Sequence, residues 1–142
     1  MPFKVQPRVS LKPAAGPVAY IYNVLVVEDD LQLADWLAEV LTYENCTVDL
    51  ASNGIEALDR LCSASYDALV CDIMMPRFDG EALYHEVAKR YPYLANRFLF
   101  ITGSPTVQAG MANFATRSGN LLLTKPLEIE AIRRALQDLC AR

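Results

Sequence analysis

Histidine is nearly absent from this chain: His85 is the only one among 142 residues. The four cysteines, Cys46, Cys62, Cys71 and Cys140, contain no Cys-x-x-Cys pair. Together these shortages exclude a zinc site of the usual kinds. The cysteines are expected as buried or inert thiols in a reducing compartment. No Gly-x-Gly-x-x-Gly follows the first apolar run, which argues against a dinucleotide enzyme. A membrane span is missing too. The longest apolar run, Ala14 to Val27, is interrupted by Gly16, Pro17 and Asn23. It falls short of the roughly 20 residues a spanning helix needs. Prolines break up the N-terminus, so no secretory leader pattern is read there, and a cytoplasmic setting is expected.

Acid is absent from residues 1–22, which hold Lys4, Arg8 and Lys12. The rest of the chain carries 10 bases against 17 acids, although the whole sums to only −4. An acidic body argues against nucleic acid as a direct ligand and suits a divalent cation. Pro2, Pro7, Pro13 and Pro17 also fall in this first stretch, half of the eight prolines. Residues 1–22 therefore read as a tail or linker: a solvated extension, or alternatively a basic arm for a partner. Residues 23–142 read as one globular domain, because a chain that is 53% hydrophobic and 21% charged overall has enough apolar residues for a real core.

Five apolar runs alternate with helical patterns. The runs are Val24–Val27, Thr47–Ala51, Ala68–Cys71, Phe98–Ile101 and Leu121–Leu123. Helices are expected over 31–43 (Leu33, Trp36, Leu37, Val40, Leu41 inward) and after Gly54 (Ile55, Leu58, Leu61, Cys62 inward). Others are expected over 81–90, weakly over 106–118, and last with Ile129, Ile132, Leu136 and Leu139 inward. Short continuous runs mark strands buried on both faces, so the expectation is α/β, a doubly wound parallel sheet of five strands.

The polar residues that end these strands are the informative ones. The first strand ends in Glu28-Asp29-Asp30, the third in Asp72, the fourth in Thr102 and the fifth in Lys125. In an open parallel sheet the carboxyl ends of the strands share one edge, where ligands bind. Converging carboxylates repel one another, and a hard cation such as Mg²⁺ relieves that. A carboxylate can attack phosphorus, while an ammonium and a hydroxyl stabilise phosphoryl oxygens. These parts suit an aspartyl-phosphate site.

The chain resembles the receiver domain of two-component response regulators, the CheY-like family, over roughly Asn23–Arg142. The motifs that carry the likeness are Val-Val-Glu-Asp-Asp at 26–30, Asn-Gly-Ile-Glu-Ala-Leu at 53–58 and Asp-Ile-Met-Met-Pro-Arg-Phe-Asp-Gly at 72–80. Ile-Thr-Gly at 101–103 and Leu-Thr-Lys-Pro-Leu at 123–127 complete it. Ser118-Gly119-Asn120 is similar to receivers fused to hybrid histidine kinases. The resemblance implies a flavodoxin-like topology and a phosphorelay role. It implies Asp72 as phosphoacceptor, Asp29 as direct Mg²⁺ ligand, Glu28 as a ligand through water, and the Met74 backbone carbonyl as a further ligand. It also implies Thr102 and Lys125 as partners of the phosphoryl group, and Pro126 as following a cis peptide that aims Lys125. The implied phosphodonor is a histidine kinase or histidine phosphotransfer protein. The output partner is not named by the sequence, and a homodimer through the last helices is one arrangement left open.

Three departures stand out. Leu122 occupies a position that is often an aromatic switch residue in the family, so the response is expected to run through backbone and aliphatic packing. The acidic pair is Glu28-Asp29 where many relatives have two aspartates. Met74 and Ser104 flank the site where some relatives carry polar side chains that orient water, so self-hydrolysis is expected to be slow. The alternative function is a pseudo-receiver, a binding module independent of phosphorylation. A phosphatase of the haloacid-dehalogenase kind is disfavoured, because its second aspartate would stand at Met74. His85 is expected as a solvated helix residue two turns from any acid, and Trp36 as packing.

Overall fold

A computed structural model describes residues 22–75, 78–103 and 109–142. Strands β1 (Tyr22–Val27), β2 (Cys46–Ala51), β3 (Ala68–Asp72), β4 (Phe98–Thr102) and β5 (Leu121–Thr124) alternate with five helices. The helices are α1 (Leu31–Tyr43), α2 (Gly54–Ser63), α3 (Gly80–Arg90), α4 (Ala109–Arg117) and α5 (Ile129–Cys140). All strand pairs are parallel, in the order β2-β1-β3-β4-β5. The doubly wound expectation therefore holds. Tyr22, the last residue of the expected tail, opens β1 and pairs with Cys46.

Alternation along each strand builds two cores. Leu25, Val27, Leu69, Cys71, Phe98 and Phe100 face Ala57, Leu61, Leu83, Val87 and Phe114 of α2, α3 and α4. Val24, Val26, Val70, Leu99 and Ile101 face Leu37, Leu41, Ile132, Leu136 and Leu139 of α1 and α5. β1, β3 and β4 are covered on both sides, which is why they read as unbroken apolar runs. Each Leu, Val or Phe so buried contributes about 1.5–3 kcal/mol before chain entropy is counted.

The helix starts are cued by their caps. Asp30 Oδ1 accepts from the N–H groups of Gln32 and Leu33 at 3.0 and 3.3 Å. Asn53 Oδ1 accepts from Glu56 N–H at 2.8 Å, and Asp79 Oδ1 from Ala82 N–H at 2.9 Å. Each satisfies a backbone donor that the first helical turn leaves open.

Several expectations about burial are corrected. Leu121–Leu123 are half-buried, because β5 is an edge strand with one open side. Ile55 is exposed and so is Cys62; the inward stripe of α2 runs through Gly54, Ala57 and Leu61, one residue round the helix from the expected one. Ile129 is exposed too, as the first residue of α5, ahead of the first turn that reaches the sheet. His85 is exposed as expected, but it sits one turn from an acid, with Nε2 3.6 Å from Glu81. Trp36 packs partly buried against the α1 core. The helix expected over 106–118 begins at Ala109, and residues 104–108 lie outside the described ones.

Candidate functional site

The carboxyl edge of the sheet gathers most of the polar residues singled out in the sequence. β1 delivers Glu28 and Asp29 in the turn before Asp30 caps α1. β3 ends on Asp72, in register with Ile101 of β4, one residue before Thr102. β5 ends at Thr124, opposite Thr102, and Lys125 follows. Lys125 N–H donates to the Thr102 carbonyl at 2.8 Å, and the Lys125–Pro126 peptide is cis. That backbone bond ties the lysine to the end of β4.

The side chains then converge. Oxygens of Glu28, Asp29 and Asp72 all lie within 4.8 Å of one another. Lys125 Nζ donates to Asp72 Oδ2 at 3.4 Å and stands 4.0 Å from Glu28 Oε1. Met74 N–H donates to Asp72 Oδ1 at 3.1 Å, which fixes the carboxylate plane from its other side. Glu28, Asp72 and Thr102 are buried, whereas Asp29 and Met74 are exposed. Asp29 is thus the solvent-facing lip of the cluster. Leu122 is half-buried against the α2–α4 core. Ser104, expected to flank the site, lies outside the described residues.

Among the described residues, three carboxylates meet one lysine, which leaves negative charge uncompensated. Burial pushes Glu28 up to about 7, aided by the neighbouring Asp72 charge and opposed by the Asp30 N–H and Lys125. Burial also raises Asp72, while Lys125 and the Met74 N–H pull it down. Asp30 N–H donates to Glu28 Oε2 at 3.1 Å, but buried Oε1 accepts no hydrogen bond among the described residues. An orphaned carboxylate oxygen costs free energy in a low-dielectric setting. A hard divalent cation is the chemical complement of that oxygen and its two carboxylate neighbours. The donor set therefore fits Mg²⁺.

Two residues outside the predicted site set also shape it. Gly80 N–H donates to the Ile73 carbonyl at 2.9 Å, folding the loop after β3 back onto the strand end. A Cβ at Gly80 would stand 2.8 Å from the Asp72 carbonyl oxygen and from Ile73 Cα. Glycine is needed there because the two backbones touch. Asp30 does double duty, capping α1 with its side chain and holding Glu28 with its N–H. The Asp-Gly dipeptide at 79–80 was the available signal for the first. Nothing local signals the second. The thiol beneath the site, Cys71, is fully buried and its pKa is pushed well up by that burial, which keeps it inert as expected.

The family model for the response regulator receiver domain matches residues 24–137. Curated relatives include the response regulator MprA of Mycobacterium avium (strain 104) and that of Mycobacterium tuberculosis (strain ATCC 25618 / H37Rv). Each is 32% identical over 120 residues, covering 84% of this chain and 51% of the relative. The chain thus spans about half the length of these relatives. A putative response regulator from Chloroflexus aurantiacus J-10-fl superposes with TM-score 0.75 at 30% identity, covering 85% of this chain and 98% of that one. The response regulator TrrA of Thermotoga maritima, solved in complex with Mg²⁺-BeF, shares the fold with TM-score 0.72 at 24% identity, covering 83% and 98%.

Proposed function

The chain belongs to the response regulator receiver domain family, and from that membership we propose that Asp72 is its phosphoacceptor. The donor is the phosphohistidine of a histidine kinase or phosphotransfer protein. An Asp72 oxygen attacks phosphorus, the new O–P bond forms as the P–N bond breaks, and the imidazole leaves. The observation that carries this reading is the convergence on Asp72. It ends a central buried strand, with Lys125 Nζ at 3.4 Å and two further carboxylates within 4.8 Å. Burial holds solvent away from the nucleophile, and the Met74 N–H orients it.

Asp29, Asp72 and the Met74 carbonyl would hold Mg²⁺ directly, and Glu28 through water. When bound, the ion supplies positive charge to the carboxylates and to the transferred phosphoryl oxygens. That a fold neighbour was solved with Mg²⁺-BeF supports the same chemistry here. Lys125, already on Asp72, moves its ammonium onto the added phosphoryl group, and the Thr102 hydroxyl hydrogen-bonds it. Their movement biases a pre-existing equilibrium of the α4–β5–α5 face, where an output partner or a second copy would read the signal. With Leu122 in place of an aromatic, that bias travels through packing on Phe100, its register partner. The Met74 side chain offers no polar group to position water, so the phosphorylated form is long-lived. Among the described residues no helix is long and apolar enough to cross a membrane. The proposed setting is the cytoplasm.

Intact mass after incubation with Mg²⁺ and acetyl phosphate tests the assignment. One phosphoryl group is expected, absent in Asp72→Asn and absent when Mg²⁺ is chelated. Labelling that persists in Asp72→Asn would place the acceptor elsewhere.

A further inference from the structure

Among the described residues, the motif Asn-Gly-Ile-Glu-Ala-Leu at 53–58 contributes nothing to the carboxylate cluster, yet it begins α2 at the same edge of the sheet. The start of α2 is held firmly. Ala51, the last residue of β2, accepts from Glu28 N–H at 3.0 Å. Asn53 Oδ1 accepts from Glu56 N–H, and Glu56 Oε1 reaches back to accept from Ser52 Oγ at 3.0 Å. Bonds in both directions across the first turn fix where the helix enters. Gly54, the first helical residue, is buried, and the ring of Phe78 lies over it. A Cβ at Gly54 would come within 2.9 Å of Phe78 Cγ, closer than side chains pack. Gly54 is not at a positive φ, so the ring is what excludes a side chain there, and not the backbone.

Phe78 belongs to the loop that carries Met74. Ile73 and Met75 are buried and Met74 is exposed, with its N–H on Asp72 Oδ1 at 3.1 Å. The base of the loop is closed by Gly80 N–H on the Ile73 carbonyl at 2.9 Å, and Asp79 caps α3. Its returning half meets α2 through Phe78, which packs partly buried against the core as well as on Gly54. The seat is apolar and holds no charge. A change there therefore reaches Asp72 through the position of the Met74 peptide, and not through electrostatics.

Resting on the reading of Asp72 as phosphoacceptor, we propose that Phe78, seated on Gly54, is a positioning residue for the site. The contact holds the loop after β3 so that the Met74 N–H stays on Asp72 and the Met74 carbonyl stays available to Mg²⁺. Groups that orient a ligand matter because small misplacements weaken both metal binding and attack.

Amide exchange and Mg²⁺ titration on the full chain test this. Gly54→Ala displaces the ring while giving α2 a better helix former. In metal-free protein its Met74 amide is expected to exchange about fivefold faster than in the native chain, with the amides of Val70 and Cys71 inside β3 still protected. Calorimetric titration should show Mg²⁺ bound about tenfold more weakly. Phe78→Ala should do the same, and Gly54→Ala added to it should change neither reading further, because the ring is already gone. Should alanine at 54 unfold the chain, Phe78→Leu, which keeps an apolar side chain but loses the ring, decides by the same two readings. An unchanged Met74 amide in a folded variant would overturn the proposal, as would effects of the two substitutions that simply add. A native chain that binds no Mg²⁺ would count against the phosphoacceptor reading, and the Met74 amide would still decide the seat.

Discussion

The two ends of the same sheet handle buried polarity in opposite ways. At the amino end, polar groups are closed into pairs. Asn23 N–H donates to Asp67 Oδ2 at 2.8 Å, and Asp67 N–H returns to the Asn23 carbonyl at 2.7 Å. Asn120 accepts from Phe98 N–H at 3.0 Å and donates to the Ala95 carbonyl at 2.9 Å. Arg142 donates to the carbonyls of Asn96 and Gly119 at 2.7 and 2.9 Å. At the carboxyl end, Glu28 and Asp72 are buried close together with Lys125 beside both, and among the described residues Glu28 Oε1 accepts no hydrogen bond. The amino end is built for stability. The carboxyl end holds, among the described residues, an excess of negative charge that a divalent cation would offset.

Perturbing each end should separate these roles. The largest loss of stability is expected from Gly80→Ala, whose Cβ meets backbone behind Asp72. Denaturant unfolding should show about 2–4 kcal/mol of destabilisation, with phosphoryl uptake impaired as well. Next is Asn120→Ala at the amino end, which strands a buried N–H and a carbonyl. It should cost about 2–3 kcal/mol by the same measurement, while saturating acetyl phosphate still labels the folded protein fully.

Glu28→Gln should act in the opposite direction. The raised pKa of Glu28 means its contribution to stability is complete below about 4.5 and is lost as pH rises through about 7. Without divalent cations, the native chain should therefore lose stability relative to the variant across that window. The variant should be about 1–2 kcal/mol more stable at pH 8 and bind Mg²⁺ more weakly, as thermal melts with and without Mg²⁺ would report. An equal pH slope in both chains would remove Glu28 as the source. The smallest effect is expected from Arg142→Ala, which removes two bonds at the surface, at about 0.5–1 kcal/mol and no change in labelling.

Much of this was legible before any coordinates. The runs at 24–27, 68–71 and 98–101 named the three central strands because such strands are covered on both faces. The polar residues after them named the site, because the carboxyl ends of parallel strands share an edge. The edge strand was misread for the complementary reason: three leucines in a row look the same whether one side of the strand is open or covered. Ile55 and Cys62 failed similarly, since a helix with apolar residues on adjacent stripes does not say which stripe meets the sheet. Ser118-Gly119-Asn120, similar in sequence to one receiver subgroup, also has a structural role. Gly119 takes a φ of +82°, and Asn120 locks the turn to β4.

Composition, periodicity and strand-end residues were enough for the α/β architecture and for Glu28, Asp29, Asp72, Thr102 and Lys125 as a set. These signals are local, or follow from topology alone. The closeness of the set was not available there. That Asp30 N–H holds one oxygen of Glu28, that Met74 N–H fixes Asp72, and that Gly80 must lack a side chain all depend on how the loops after β1 and β3 fold back on the strand ends. Burial then sets the charge states, because desolvation is a property of the packed whole and of no single residue.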